Sequence, residues 1–129
     1  MPTTFSDIQR HMRARYRLHD DQPDMMSLVY SYDDGRMQKV VVRRFAAGGR
    51  DMLEFKSPFA RRGQVDPAVL LEENARMSLG MVALSGDVLL VVYNALLENL
   101  VLADFDFVLG RVAAVADALE QKHGLADSF

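Results

Sequence analysis

The sequence predicts an α+β fold: a single domain with the element order α-βββ-α-ββ-α and an antiparallel sheet covered by helices. Apolar residues recur at helical spacing near both ends of the chain and once in the middle. Between these segments lie alternating, β-branched runs separated by glycine-containing turns. The chain has 129 residues, of which 50% are hydrophobic and 26% charged. This length suits one hydrophobic core, so we expect one domain over residues 1–129.

The first helix is predicted over residues 4–17. Its apolar positions, one turn apart, are Phe5, Ile8, Met12 and Tyr16. Thr4 or Ser6 can cap its start, because a side-chain oxygen can accept from the free amides of the first turn. The segment that follows contains Pro23, which prevents the helix from continuing.

Three strands follow, over residues 26–32, 38–45 and 52–57. Gly35 supplies a turn between the first two, because glycine adopts positive φ at no steric cost. The second strand is β-branched and aromatic, and a looser turn at Gly48 and Gly49 leads to the third. Pro58 is expected to end strand pairing, since it has no amide to donate. These segments predict an antiparallel meander.

A second helix is predicted from Asp66 to about Met77. Asp66 caps the amides and Pro67 occupies the first turn, where no N–H is needed. We expect one face to carry Leu70, Leu71, Asn74 and Met77, and Glu72, Glu73 and Arg76 to point elsewhere. Gly80 then marks the entry to a hairpin with strands at 81–84 and 88–95.

The final helix is predicted to begin at Asp104 as its cap and to stop at Gly124. Its expected core face is formed by Phe105, Val108, Leu109, Val112, Ala116 and Leu119. Asp104 and Asp106 also resemble a catalytic carboxylate pair, but the capping role accounts for Asp104 without any chemistry.

The run from Val88 to Tyr93 is apolar without alternation. An antiparallel strand with one wet face alternates, so both faces of this one are expected to be covered. The covering is either the chain's own helices on both sides, which makes it a central strand, or a second subunit on one side. The second reading predicts a homodimer with these interface residues: Met77, Leu79, Met81, Val91 and Tyr93.

Charge is divided unevenly along the chain. Residues 1–65 carry 12 Lys/Arg and 8 Asp/Glu, whereas residues 66–129 carry 3 and 10. The two halves either compensate each other or steer a charged partner. A basic surface for nucleic acid is the alternative reading of the arginines. The sequence pI of about 5.5 favours a solvated helix face, and we expect no nucleic-acid partner.

Catalytic residue types are sparse. The chain has no Cys, and His11, His19 and His123 are scattered without metal-ligand spacing. The acidic residues Asp20, Asp21 and Asp24 beside His19 suggest a metal site less than they suggest a loop. No phosphate-binding loop, dinucleotide fingerprint or nucleophile elbow occurs. We therefore expect no enzyme, no metal and no cofactor.

No segment of the sequence predicts secretion or membrane insertion. The N-terminus has Asp7 and no continuous apolar core, unlike a signal peptide. The longest apolar run, Val88 to Tyr93, is far shorter than the roughly 20 residues that span a bilayer. A cytoplasmic location without a membrane partner is the simplest expectation.

The element order, chain length and acidic balance resemble the bacterial type III secretion chaperone-like superfamily. Its members are class I effector chaperones and putative sensory-transduction regulators. The local resemblance lies in residues 70–74 (Leu-Leu-Glu-Glu-Asn), in Gly80, in the strand-turn-strand 82–90 and in residues 116–120 of the final helix. As a topology the resemblance covers most of the chain.

The resemblance implies a homodimer that holds an extended segment of another protein without catalysis. Apolar side chains of the first helix and the sheet would contact this client, and the candidates are Phe5, Met12, Tyr30, Tyr32, Val42 and Phe45. Adaptable methionines near strand ends, such as Met25 and Met52, suit the same role or simply fill the core. The alternative is a regulatory or sensory-transduction domain that binds a folded partner or a small ligand.

Overall fold

The computed structural model describes residues 2–125 and residue 129. The described chain has three α-helices, α1 (Phe5–Arg15), α2 (Pro67–Arg76) and α3 (Leu102–Lys122). Its six strands are β1 (Asp20–Gln22), β2 (Met25–Ser31), β3 (Met37–Ala47), β4 (Arg50–Arg61), β5 (Met81–Ser85) and β6 (Val88–Leu96). They form one antiparallel sheet in the order β1-β2-β3-β4-β6-β5. The predicted α+β class and helix–strand order are confirmed. Strand β1 and a short 3-10 helix over Leu97–Asn99 were not predicted.

Helix α3 is the central packing element. It lies across β3, β4 and β6. At this contact the ring centroids of Phe105 and Phe55 are 5.4 Å apart. All six residues of the predicted core face are buried, at the 3.6-residue period of an amphipathic helix. This element therefore holds the middle strands together on one side of the sheet.

Helix α1 packs beside α3 on the same side. Its N-cap Thr4 accepts from the Asp7 amide, and the Asp7 carboxylate accepts from the Thr4 amide, which forms a complete capping box. Phe5, Ile8 and Met12 are buried in the common core. The predicted helical spacing is confirmed, and it places this short helix against the core.

The strand register divides the sheet into a helix-covered face and an opposite face. Val42 pairs with Phe55, which pairs with Tyr93, and directly paired residues point to the same side. Val42 and Phe55 are fully buried beneath the helices. Residues one position along each strand, such as Val41 and Lys56, therefore point to the opposite face.

Pro58 does not end strand pairing, contrary to the prediction. Strand β4 continues to Arg61, and Pro58 itself pairs with Leu90 of β6. The register shifts between Pro58 and Ala60, so a bulge accommodates the missing amide. The Pro58 carbonyl accepts from Gln38 Nε2 at 2.5 Å, which satisfies it inside the core.

Two helix predictions are also corrected. Leu71 is 70% exposed, whereas Glu73, which was expected to point elsewhere, is buried and lies 2.5 Å from Lys122 Nζ. An ion pair with α3 therefore makes an inward carboxylate tolerable. Helix α3 begins at Leu102, so Asp104 is not its cap but a first-turn residue. Its negative charge there interacts favourably with the positive end of the helix dipole.

Helix α2 seals part of the sheet edge at β5. The Asn74 side chain accepts from the Val82 amide at 2.5 Å and donates to the Val82 carbonyl at 3.3 Å. These two bonds occupy the backbone groups that a further strand would use. Gly80, just before β5, has φ +84°, and a Cβ there would lie 2.9 Å from the Val92 carbonyl oxygen.

Replacement of Gly80 by alanine is expected to destabilise the fold by roughly 2–3 kcal/mol, because it combines positive-φ strain with a backbone clash. Gly86→Ala is the matched control, since Gly86 has φ +60° and nothing within 4 Å of the added Cβ. It should cost about 1 kcal/mol. Urea denaturation of both variants measures the difference, and equal losses would show that the close approach to Val92 is unimportant.

Candidate protein-interaction surfaces

The broadest candidate surface is the face of the sheet opposite the helices, which we call the outer face. The described helices pack on the other side. The outer face carries half-buried apolar side chains in its middle and exposed ones toward its edges. They are Met25, Val29, Met37, Val41, Phe45, Met52, Pro58, Met81, Ala83, Leu90 and Leu96, with the buried Val92 among them.

Rows of cross-strand neighbours give the outer face a pattern. Phe45, Met52 and Leu96 form an apolar row across β3, β4 and β6. The next row is polar and contains Arg43, Glu54 and Asn94, with Arg43 Nε 3.1 Å from Glu54 Oε1. The Arg43 guanidinium also lies over the Phe45 ring at 5.0 Å from its centroid. The ion pair therefore lies between the apolar row and a mixed row of Val41, Lys56 and Val92, and it contacts the Phe45 ring.

The sequence-predicted client residues divide between the core and the surface. Phe5, Met12 and Val42 are buried, so their side chains offer no accessible surface. Tyr30 and Tyr32 are half-buried on the helix-covered face, where their rings stack at 6.4 Å. Phe45 alone of the six lies on the outer face. Alternation cannot tell which face of a strand the helices cover, which explains the mixture.

The predicted dimer residues fall in three places. Val91 is fully buried under the helices, and Tyr93 points to the same side, 6.1 Å from Phe55. A second copy would meet neighbours of Val91 rather than Val91 itself. Met81 is 46% exposed at the β5 end of the outer face. Met77 and Leu79 line a groove between α2 and α3.

That groove has a volume of about 270 Å³. Its apolar lining consists of Met77, Leu79, Ala114, Val115, Ala118 and Leu119. Arg76, Arg111 and Lys122 stand around it, together with Glu73 and Ser78. It opens on the helical side of the molecule, away from the outer face.

A polar cluster joins α1 to α3. His11 Nε2 lies 2.9 Å from Asp106 Oδ1, and the Tyr16 hydroxyl donates to the same oxygen at 2.6 Å. Burial raises the pKa of Asp106, but the hydrogen bonds from Tyr16 and His11 outweigh it and hold that pKa below 3.8. Burial, followed by the bond to Asp106, raises the pKa of the Tyr16 hydroxyl. The cluster fastens one helix to the other.

A second polar cluster lies at the far end of α3. The Arg36 guanidinium donates to Asp117 and to the fully buried Glu120, at 2.8 Å in each case. Burial, followed by the Asp117 charge, raises the pKa of the nearby Tyr32 to about 12. Arg36 therefore ties the β2–β3 turn to α3 by paired interior charges.

Sequence reasoning missed both clusters and the groove. Asp106 was considered only with Asp104 as a carboxylate pair, because its separation of 95 positions from His11 hides their contact from any local pattern. The one available signal was the helical periodicity of α3, which places Asp106 beside the buried Phe105 and therefore at the border of the core face. Within residues 2–125 and 129, no three His, Asp or Glu side chains converge as metal ligands. No helix in the same part of the chain is long and apolar enough to cross a membrane.

Loss of the Asp106 carboxylate is expected to weaken the fold at neutral pH and to change its acid dependence. Asp106→Asn should lose roughly 1–3 kcal/mol at pH 7, because it breaks a partly buried network. The carboxyl titrates near 3.8 when unfolded and lower when folded. Its contribution is therefore complete above 3.8 and disappears as the pH falls through the folded pKa.

The measurement is the free energy of unfolding between about pH 7 and pH 2. The difference in unfolding free energy between wild type and Asp106→Asn should narrow below pH 3.8. A difference that stays constant with pH would contradict the role assigned to the carboxylate. Asp104→Asn is the control, because Asp104 is an exposed carboxylate of the same helix.

Comparison with known proteins gives a fold and no family. No protein-family model and no curated protein sequence matches this chain. Among solved structures, a chain in the crystal structure of the ExsC–ExsE complex is similar, with a TM-score of 0.64 and 11% identity. The match covers 92% of this chain and 95% of that one. At this identity the likeness shows a shared α+β fold.

Proposed function

We propose that this chain is a non-enzymatic, dimeric, chaperone-like protein that holds an extended segment of a secreted or effector partner. The observation that carries the proposal is the outer face of a six-stranded sheet, on which none of the described helices packs. A broad apolar surface with interspersed charges is typical of protein binding. The shared fold with a chain solved in a two-protein complex, ExsC–ExsE, supports a protein partner.

The spacing of the outer rows favours an extended client. Successive outward residues along a strand are about 6.6–6.8 Å apart, and so are same-side residues of an extended segment. A client parallel to the strands would therefore place one side chain over the row of Phe45 and Met52. Its next same-side residue would lie over the row of Arg43 and Glu54. This geometry selects for a client whose sheet-facing side chains are apolar and polar in turn.

The β5–β6 end of the outer face is the proposed homodimer contact. Met81 pairs with Val92, and Ala83 pairs with Leu90, so the two outward rows at this end are apolar. A second copy placed on these rows would supply the covering that a non-alternating apolar strand lacks in the single chain. Because both rows are apolar, the same patch can face its own copy across a twofold axis.

The dimer is tested by light scattering at micromolar concentration. We expect a particle of twice the 14.5 kDa chain mass, and Met81→Glu should convert it to a monomer by placing a charge in the apolar contact. Met37→Glu is the matched control, since Met37 is 50% exposed on the same face but at the β2–β3 end. A wild type that remains monomeric would overturn the dimer.

Client binding is tested with a fluorescent peptide of ~12 residues built from the repeat Leu-Ser-Ser-Ser, which in an extended segment places leucine and serine in turn over successive outer rows. Phe45→Glu should weaken the peptide's affinity about tenfold, because Phe45 anchors the apolar row. Leu71→Glu, on the exposed side of α2, should leave it unchanged. Equal effects of the two substitutions, or no saturable binding, would count against the outer face as the client site.

A further inference from the structure

The groove between α2 and α3 collects every Lys and Arg of the acidic half of the chain. Residues 66–129 contain ten Asp/Glu and only three Lys/Arg, namely Arg76, Arg111 and Lys122. All three line the groove. They come from two different helices, so no single run of sequence brings them together. The groove therefore brings together the cations of two helices that are distant in the sequence.

The three cations differ in how far they are already neutralised. Lys122 pairs with the buried Glu73, and Arg76 lies 3.6 Å from Glu72 in an exposed pair of the same helix. An exposed pair of this kind contributes little and exchanges readily for another carboxylate. Arg111 is exposed and forms no ion pair with any residue that the structure describes. Arg111 is thus the open anion-binding position at the rim.

An apolar floor lies between these charges. Met77, Leu79 and Val115 are partly buried against the core. The small side chains of Ala114 and Ala118 leave space above this part of α3. One turn before Arg111, Phe107 is 63% exposed on the same side of α3. From Phe107 to Lys122 the helix runs for about 22 Å, the reach of six or seven extended residues.

From this arrangement we infer that the groove is a second protein-binding site, which takes a short acidic peptide segment with apolar side chains beside its carboxylates. The volume of about 270 Å³ accommodates one or two side chains and does not enclose a ligand. Apolar side chains of the segment rest on Met77 and Val115, while a carboxylate binds Arg111. The attraction of these cations is local, since exposed charges are screened beyond about 10 Å.

A second copy of this chain is a poorer occupant than a foreign segment. A twofold contact through the groove would place the Arg111 of each copy near the other, together with Arg76 and Lys122. Like charges brought together oppose association. The site also lies on the helical side of the sheet, so it is independent of the outer face and its failure leaves the proposed function standing.

The test uses the full chain and three fluorescent peptides of ~12 residues: glutamate alternating with leucine, glutamine with leucine, and glutamate with serine. The glutamate–leucine peptide should bind at least about tenfold more tightly than the other two. Arg111→Glu should weaken it about tenfold, and raised salt should weaken it further. Arg17→Glu, the matched charge reversal at an exposed arginine beyond α1, should change the affinity by less than about twofold.

NMR chemical-shift changes on binding should map to residues 76–79 and 107–122. Changes that map to the outer face, or equal losses in Arg111→Glu and Arg17→Glu, would overturn the inference. So would the absence of saturable binding at about 1 mM peptide. Laurate serves as a separate probe, because a fatty acid shares the apolar and carboxylate chemistry. Binding of laurate with the Arg111 dependence, but not of the peptide, would assign the groove to a small amphiphile and overturn the peptide site.

Discussion

The packing of α3 across the middle of the sheet is the constraint on which the rest of the structure depends. Phe105 meets Phe55 at the centre of that contact, and the buried residues of α3 share their side of the sheet with α1. The helix is anchored at both ends by charge, through Asp106 near its start and through Asp117 and Glu120 near its end. Because α1 joins α3 on this side, none of the described helices packs on the opposite face of the sheet.

Local patterns in the sequence predicted the elements well where periodicity and capping agreed. Residues close together in the sequence determine each of three such elements. These are the core face of α3, the start of α1 at Thr4 and the hairpin after Gly80. Predictions failed where a distant partner decides the outcome. Pro58 stays in its strand because a bulge and Gln38 accommodate it, and Glu73 turns inward because Lys122 is there.

The candidate surfaces were harder to predict than the elements. Alternation along β3 places Val41 and Phe45 on one face and Val40 and Val42 on the other, but only the placement of the helices decides which set is buried. The groove was invisible in the sequence because Arg76 and Arg111 are 35 positions apart and meet only when α2 packs beside α3. The sequence placed Met77 and Leu79 in a dimer interface and gave no sign of the cations around them.

The Asn74 side chain has a consequence for how the protein can assemble. A sheet with an apolar face and an open edge is liable to grow by adding strand after strand into a filament. The Asn74 amide occupies the backbone N–H and C=O of Val82, the second residue of β5, so a neighbouring chain finds no continuous ladder there. Growth by addition of strands is therefore blocked at β5. Association of two copies through their outer faces stops at a pair, because each copy then covers the outer face of the other. A single amide thereby separates closed association from open-ended polymerisation.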